Sequence, residues 1–325
     1  MNQEFIKTIK HATGADDIRL LEVIQELWSG YGSIKRYELR GSSRKRVVVK
    51  HISFEKDTNH PRGWNTNISH QRKLKSYQVE QEWYQKWTEP CNDSCKIPEC
   101  LAIKTLNGET LIVLEDLDES GYTERLNDVS ETELCACLAW LANFHAVFMG
   151  RSPNGLWEQG TYWHLETRPD ELKVLTDIDL KNVAGAIDNI LKNSRFQTIV
   201  HGDAKLANFC FTPSGSKVAA VDFQYVGGGC GMKDVAYFIS SCLDEEEQER
   251  DASWVLDYYF SELGKALERY HPTLDIMEIE KDWRTLYPVA IADFHRFLKG
   301  WSPGHWKQNT YTEKITREVI NLLSD

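Results

Sequence analysis

The sequence IVHGDAKLANF occupies residues 199–209, and VDFQ follows at residues 221–224. In the first stretch an apolar run leads into a His-Gly-Asp tripeptide ending at Asp203, and Asn208 lies five positions later. The second stretch is an apolar run ending at Asp222. Each residue alone is unremarkable, since Asp and Asn are common turn formers in loops. Three such oxygen-bearing side chains, each beside a short apolar run, instead indicate a functional site.

The surroundings of this stretch are helical. Residues 198–222 form one β-rich island, with Pro213, Ser214 and Gly215 marking a turn between its short strands. A hairpin of this kind brings Asn208 and Asp222 back together. Helices are predicted over residues 132–147, 170–193, 233–242, 246–270, 281–300 and 311–323.

The first 115 residues predict antiparallel strands with one inserted helix. Apolar residues at helical spacing over residues 16–28 predict a first helix that ends at the following glycines. Residues 53–68 are polar and contain Pro61 and Gly63, which indicates an insertion. Strands are predicted over residues 34–39, 46–52, 97–103 and 110–114, the last two around an Asn107-Gly108 turn, and a helix over residues 69–87.

The His-Gly-Asp, Asn and Asp-Phe-Gln set resembles the catalytic signature of the kinase-like phosphotransferases, which include aminoglycoside phosphotransferases and choline kinases. With KDVAYF at residues 233–238, it is most similar to the ecdysteroid-kinase-like branch. The resemblance implies an α+β, protein-kinase-like two-lobed fold. Residues 1–116 would form a nucleotide-binding lobe of antiparallel sheet plus helix. Residues 117–325 would form a mainly helical catalytic and acceptor-binding lobe with a catalytic β-hairpin.

The resemblance also implies roles, because phosphoryl transfer needs positioning and charge neutralisation more than covalent chemistry. Asp203 would accept the proton of the acceptor hydroxyl, and Lys205 would face the transferred phosphate. Asn208 and Asp222 would hold Mg²⁺ on the phosphates of ATP. His201 would brace the loop by hydrogen bonds.

Segments before the island follow the order that the resemblance requires. The WSGYGS segment at residues 28–33 resembles the nucleotide loop, with Gly30, Gly32 and Ser33 as phosphate contacts, although it is equally typical of a turn. Lys50 occupies the place of the strand lysine that binds the α- and β-phosphates. Its ion-pair partner is expected on the next helix.

Two acidic residues fit that partner, Glu80 and, as an alternative, Glu82. Backbone groups of Glu115, Asp116 and Leu117 would read adenine at the hinge between the lobes. His145, within a segment that also matches the family, is expected to be a packed helix residue.

Composition excludes several classes of partner. The formal net charge is −11 and the pI is about 5.5, so most of the surface would repel nucleic acid and anionic lipid. No stretch reaches the roughly 18 apolar residues of a spanning helix, and no secretory leader is recognised, so a cytoplasmic location is expected. The eight cysteines are scattered, which disfavours a disulfide framework. A zinc site at Cys91, Cys95 and Cys100 is disfavoured for want of a C-x-x-C pair.

The acceptor is expected to be a small molecule with a hydroxyl group, bound by the helical lobe. Trp163, Trp301 and Trp306 are candidates for an aromatic wall facing Asp203, against the alternative that they are core residues. Neither a cationic nor a sterol-like acceptor is favoured by the net charge. ATP versus GTP and the oligomeric state stay open. Two rivals remain, a catalytically silent nucleotide-binding scaffold and a protein kinase, the latter disfavoured by the absence of Asp-Phe-Gly and Ala-Pro-Glu.

Overall fold

The computed structural model describes residues 2–27, 30–53 and 67–324, with only the backbone of Asn67. It has the α+β, protein-kinase-like fold expected from the sequence, an antiparallel sheet with one long helix followed by a mainly helical part. Most of the predicted insertion over residues 53–68 lies outside the described residues.

The N-terminal part is a five-stranded antiparallel sheet with two helices. The elements are α1 (Gln3–Thr13), β1 (Asp17–Glu26), β2 (Gly32–Arg40), β3 (Arg46–Ile52), α2 (Asn67–Lys86), β4 (Cys100–Leu106) and β5 (Glu109–Glu115). The strand order is β1-β2-β3-β5-β4. Helix α1 packs on one face of the sheet, where Phe5 and Ile9 are fully buried.

The helix predicted over residues 16–28 is wrong. Residues 17–26 form the edge strand β1, which pairs with β2 from Asp17 opposite Arg40 to Glu26 opposite Ser33. Its Leu and Ile residues happened to fall at helical spacing, but pairing along a whole neighbouring strand outweighs that weak local preference. Residues 28 and 29 lie outside the described part.

The other N-terminal predictions are confirmed within a few residues. Strands β2 and β3 form the expected hairpin, and α2 covers the predicted helix. Asn107 and Gly108 both have positive φ, 53° and 83°, as a two-residue hairpin turn requires. Strand β4 starts three residues later than predicted, at Cys100.

The C-terminal part is helical around the predicted island. The stretch predicted as one helix over residues 170–193 is two helices, because Asp177 caps a new helix by accepting a hydrogen bond from the Leu180 amide at 3.2 Å. The elements are α3 (Glu131–Val147), α4 (Pro169–Val174), α5 (Ile178–Lys192), β6 (Thr198–Val200), β7 (Phe209–Phe211), β8 (Val218–Ala220), β9 (Gly227–Gly229), α6 (Met232–Cys242), α7 (Glu245–Tyr270), α8 (Ile276–Trp301) and α9 (Thr310–Ser324).

The island contains β6, β7 and β8. Strand β7 pairs with β8, and β6 pairs with β9, which follows the island. A single apolar core joins it to α2 and α3. At its centre the indole of Trp83 stacks on Phe223, with ring centroids 4.7 Å apart. The helix that follows β3 is thereby packed directly on the Asp-Phe-Gln segment. In the part of the chain that the structure describes, no helix is both long and apolar enough to cross a bilayer.

Candidate active site

The loop between β6 and β7 holds Asp203 against Asn208. The Asn208 amide nitrogen donates to the Asp203 carbonyl at 2.7 Å and to its carboxylate oxygen Oδ2 at 3.1 Å. The ammonium of Lys205 lies 3.3 Å from the same Oδ2. The loop therefore fixes one oxygen of the carboxylate through two neighbours in sequence.

The second oxygen of Asp203 is in a different situation. Oδ1 is buried and makes no hydrogen bond among the described residues. The Tyr237 hydroxyl is close enough to interact with the carboxylate. Burial raises the pKa of Asp203, although Lys205 opposes the shift. A buried carboxylate with an uncommitted oxygen and a raised pKa is suited to accept a proton.

The hairpin of β7 and β8 returns the chain to this loop, as predicted. The Val221 amide donates to the Asn208 carbonyl at 2.9 Å, which places Asp222 beside Asn208. Asp222 has φ 70°, a strained conformation for a residue with a side chain. Although burial opposes the charge, Lys50 and two further lysines lower the pKa of Asp222 to about 2. Its carboxylate is therefore ionised throughout the physiological range.

Lys50 joins the sheet to this site. Its ammonium lies 2.7 Å from a carboxylate oxygen of Glu80 on α2 and 3.3 Å from Asp222. Both Lys50 and Glu80 are almost fully buried, at 3% and 1% exposure. The alternative partner, Glu82, lies on another face of α2 and pairs with Lys86 at 2.8 Å. The structure therefore assigns the ion pair to Glu80.

A buried network braces the loop from behind. The Asp234 carboxylate accepts hydrogen bonds from the backbone amides of His201 at 2.6 Å and Gly202 at 2.9 Å. It also contacts the His145 ring at 3.1 Å, and that ring contacts the Tyr259 hydroxyl at 2.8 Å. His201 in turn contacts the Val221 carbonyl at 3.1 Å. His201 thus ties the loop to the segment just before Asp222.

The role of Asp234 was missed in the sequence, although it lies in the KDVAYF segment that carried the resemblance. His145 is fully buried, as expected for a packed helix residue, and it also supports Asp234. Gly202 belongs to the same arrangement. It has φ 80°, and a Cβ there would lie 2.0 Å from the Tyr225 carbonyl oxygen. Only glycine lets the loop pass this close to the segment after Asp222.

In the predicted nucleotide loop, residues 28 and 29 lie outside the described part, and Gly32 and Ser33 begin strand β2. The described residues Gly30, Gly32 and Ser33 do not line the cleft, whereas Leu27 and Tyr31 do. Gly32 has φ 121°, and a Cβ there would meet the His51 carbonyl at 1.9 Å. This glycine is therefore explained by close packing on strand β3.

The expected hinge follows β5. Glu115, Asp116 and Leu117 all line the cleft. The Glu115 amide is already used, donating to the Glu99 carbonyl at 2.8 Å, and the Asp116 carboxylate pairs with Arg36 at 2.9 Å. The Leu117 amide makes no hydrogen bond to any described residue, so it is available to a ligand.

The cleft also has an aromatic wall built by α6, α8 and two loops. The cleft as a whole measures about 1680 Å³. Trp301, stacked on Phe297 with centroids 5.6 Å apart, and Trp306, 64% exposed, both line the cleft. The wall comprises Tyr162, Tyr237, Phe294, Phe297, Trp301 and Trp306.

Trp163 does not line the cleft. It is 1% exposed and lies behind the wall, where its indole N–H donates to Asp293 at 3.1 Å. Its neighbour Tyr162 presents its ring instead. The prediction failed by one position because a loop without regular periodicity gives no signal for which side chain faces inward.

The sequence matches the model of the ecdysteroid kinase-like family over residues 42–154 and 163–271, more than half of the chain. The protein belongs to this family. The matched segments contain Lys50, Glu80, the loop around Asp203 and the segment around Asp222. A comparison with curated proteins found no match.

Solved structures of small-molecule kinases share the fold. Choline kinase from Cryptosporidium parvum Iowa II aligns with a TM-score of 0.59 and 11% identity, over 99% of this chain and 97% of that one. The putative fructosamine-3-kinase from Haemophilus somnus 129PT aligns with a TM-score of 0.47 and 15% identity, over 99% and 97%. At such identities the similarity concerns the fold alone, and the alignment with choline kinase is the one that supports the shared fold.

Proposed function

We propose that the protein is an ATP- and Mg²⁺-dependent phosphotransferase that moves the γ-phosphate of ATP to a hydroxyl group of a small molecule. The observation that carries the proposal is the convergence of Asp203, Asn208 and Asp222 with Lys50 and Lys205 in one cleft. These residues come from segments up to 172 positions apart in sequence. Membership of the ecdysteroid kinase-like family supports the same chemistry.

In this proposal Asp203 is the general base. Its Oδ2 is held by Asn208 and Lys205, which leaves Oδ1 to accept the proton of the acceptor hydroxyl. The deprotonated oxygen then attacks the γ-phosphorus, and ADP leaves. Lys205, whose side chain is 39% exposed in the cleft, neutralises charge on the transferred phosphoryl group.

The side chains present fit a magnesium ion. Asp222 supplies an ionised carboxylate, and Asn208 supplies an amide oxygen, because its nitrogen is occupied by Asp203. The described residues contain no cluster of three His, Cys, Asp or Glu side chains that would form a metal cage. Mg²⁺ in nucleotide sites needs none, since one or two side-chain oxygens, phosphates and water complete its shell. When bound, it would neutralise charge on the phosphates.

The nucleotide would lie between Lys50 and the hinge. Lys50, oriented by Glu80, would contact the non-transferred phosphates. The free Leu117 amide would donate to the adenine ring, with Leu27 and Tyr31 forming the roof of the site. Contacts from Gly30, Gly32 and Ser33 stay a prediction that now rests on sequence order alone.

The two rival functions have less support. A protein kinase would need an activation segment after the Asp-Phe-Gln motif, and here helix α6 already begins at Met232. A silent scaffold would be free to lose the base, whereas Asp203 keeps its bracing network. The division of lobes between residues 116 and 117 and the cytoplasmic location stay predictions.

The deciding experiment incubates the protein with labelled ATP and a panel of hydroxylated metabolites, beside protein substrates and a reaction without acceptor. Asp203→Asn should bind Mg-ATP normally and lose turnover by roughly 10²- to 10⁴-fold. Asp179→Asn, at a side chain 76% exposed, is the matched control and should retain full activity. An Asp203→Asn variant with more than about a third of wild-type turnover would refute the base assignment.

A further inference from the structure

Lys307 lies in the turn between α8 and α9 and reaches into the cleft across the aromatic wall. Its ammonium lies 4.6 Å from the centre of the Tyr237 ring, 5.4 Å from Trp306 and 5.6 Å from Phe294. Three ring faces therefore hold one cation at the surface of the cleft.

Among the described residues the ammonium of Lys307 forms no ion pair and donates no hydrogen bond, and Asp203 is the carboxylate that attracts it from a longer distance. The cations nearby are committed elsewhere. Arg168 pairs with Glu171 at 2.9 Å, and Arg72 donates to the Thr167 carbonyl at 2.8 Å. Beyond Asp203 and Asp222, the described residues on this side of the cleft add no carboxylate.

Lys307 is connected to the proposed base through one side chain. The Tyr237 ring carries the ammonium on its face, while the Tyr237 hydroxyl lies close enough to interact with the Asp203 carboxylate. An acceptor with its hydroxyl at Asp203 would therefore lie along the Tyr237 ring, which carries Lys307 on its face.

We propose that Lys307 is an acceptor-binding residue and that the protein selects acceptors in which an anionic group is separated from the reacting hydroxyl by a flat or apolar body. The inference rests on the proposed phosphotransferase function. The aromatic wall binds the apolar body, and the ammonium binds a carboxylate, sulfonate or phosphate by a charge-assisted hydrogen bond.

The same arrangement selects against cationic acceptors. The ring faces that would bind an amine or quaternary ammonium group are already occupied by the cation of Lys307. A second cation there would meet like charge in a partly dehydrated site, which gives specificity by repulsion. Burial lowers the pKa of Lys307 to about 8, although Asp203 opposes the shift, so the ammonium is the main form at pH 7.

Two dyes of nearly the same shape test the subsite without knowledge of the natural acceptor. Anilinonaphthalene sulfonate is anionic, and phenylnaphthylamine is the same molecule without the sulfonate. The wild-type protein should bind the sulfonate more tightly. Lys307→Met, which keeps the apolar stem on the rings, should weaken sulfonate binding roughly tenfold to a hundredfold and leave the neutral dye unchanged.

Two control variants accompany Lys307→Met. Lys307→Arg should keep the preference, and Lys314→Met, which removes a 62% exposed lysine paired with Glu249 on the neighbouring helix, should behave as the wild type. Equal loss of both dyes, or unchanged sulfonate binding, overturns the proposal. If Lys307→Met fails to fold, as judged by its melting temperature, the preference of the wild type and of Lys307→Arg decides.

Displacement of the bound sulfonate dye then tests the acceptor class. The competitors are 4-(hydroxymethyl)benzoate, 4-(hydroxymethyl)benzamide and 4-(hydroxymethyl)benzylamine. They share one ring and one hydroxyl group and carry a negative, no and a positive charge, respectively. The benzoate should displace best and the benzylamine worst. No order among the three, or the reverse order, overturns the inference.

If Mg-ATP binding by calorimetry is intact in that case, the proposed function stands. A wild-type protein that does not bind Mg-ATP refutes the proposed function instead.

Discussion

The buried pair of Lys50 and Glu80 allows a quantitative test of how the sheet is coupled to the site. The two charges are 2.7 Å apart and almost fully buried, so the attraction between them compensates each for its lost hydration. Lys50 has a second carboxylate, Asp222, at 3.3 Å, whereas the described residues offer Glu80 only one cation within ion-pair distance, Lys50. The two single substitutions should therefore differ in cost.

Lys50→Met should lower the free energy of unfolding by about 3–5 kcal/mol, because Glu80 is left buried without a cation. Glu80→Gln should cost less, about 1–3 kcal/mol, since Lys50 keeps Asp222 and an amide oxygen. The double variant should cost no more than Lys50→Met alone, because Glu80→Gln removes the charge that Lys50→Met leaves unpaired, so the coupling is at least about 1–3 kcal/mol. Urea unfolding in the absence of nucleotide gives the free energy of unfolding of the wild type, the two single variants and the double variant. The losses in Mg-ATP affinity should show the same non-additivity.

Glu82→Gln is the matched control, because Glu82 lies on the same helix and pairs with a lysine that is 64% exposed. Its cost should stay below about 0.5–1 kcal/mol. A double variant whose loss equals the sum of the two single losses would refute the reasoning. So would a Glu80→Gln variant less stable than Lys50→Met.

Three further predictions concern other parts of the molecule. Asp222→Ala should abolish Mg-dependent ATP binding in calorimetry, and unchanged affinity would contradict a role in holding the metal. Trp301→Ala should raise the acceptor KM and leave the ATP KM unchanged, whereas a lower melting temperature with normal kinetics would assign this ring to packing. Against the opposing effect of burial, Lys299 and Arg317 lower the pKa of Asp177 to about 2. The stability that Asp177 contributes is therefore complete above its unfolded pKa and disappears as the pH falls toward about 2. The deficit of Asp177→Asn in urea unfolding should be full at pH 7 and shrink below about pH 4.

The catalytic loop could be predicted from the sequence because its parts are close together in the chain. Asp203, Lys205 and Asn208 span six residues, and a hairpin turn at residues 213–215 was enough to bring Asp222 back to them. The ion pair of Lys50 was harder, since two glutamates on one helix both fitted. The rotation of α2 about its axis decides between them, and that rotation is set by packing such as the Trp83 stack on Phe223.

Strand β1 shows where local patterns fail. Leu20, Leu21 and Ile24 are 41–47% exposed at the sheet edge, so no buried stripe distinguishes a strand from a helix there. The decisive interaction is pairing with β2, for which the sequence of residues 17–26 contains no local signal. Helix α1 was missed for a related reason, because only Phe5 and Ile9 of its eleven residues are buried.

The bracing and acceptor-side residues depend on contacts between segments distant in the chain. Asp234 meets His145 across 89 positions and the loop amides across more than 30, so neither partner predicts the other. Lys307 follows a Gly/Pro turn in which any side chain could face the cleft, and only the positions of α6 and α8 place its ammonium on their rings. Transfer chemistry needs a fixed base and fixed phosphate ligands, which a short loop and hairpin supply. Acceptor choice depends on the packing of separate helices, so the residues that determine it can change while the loop around Asp203 stays the same.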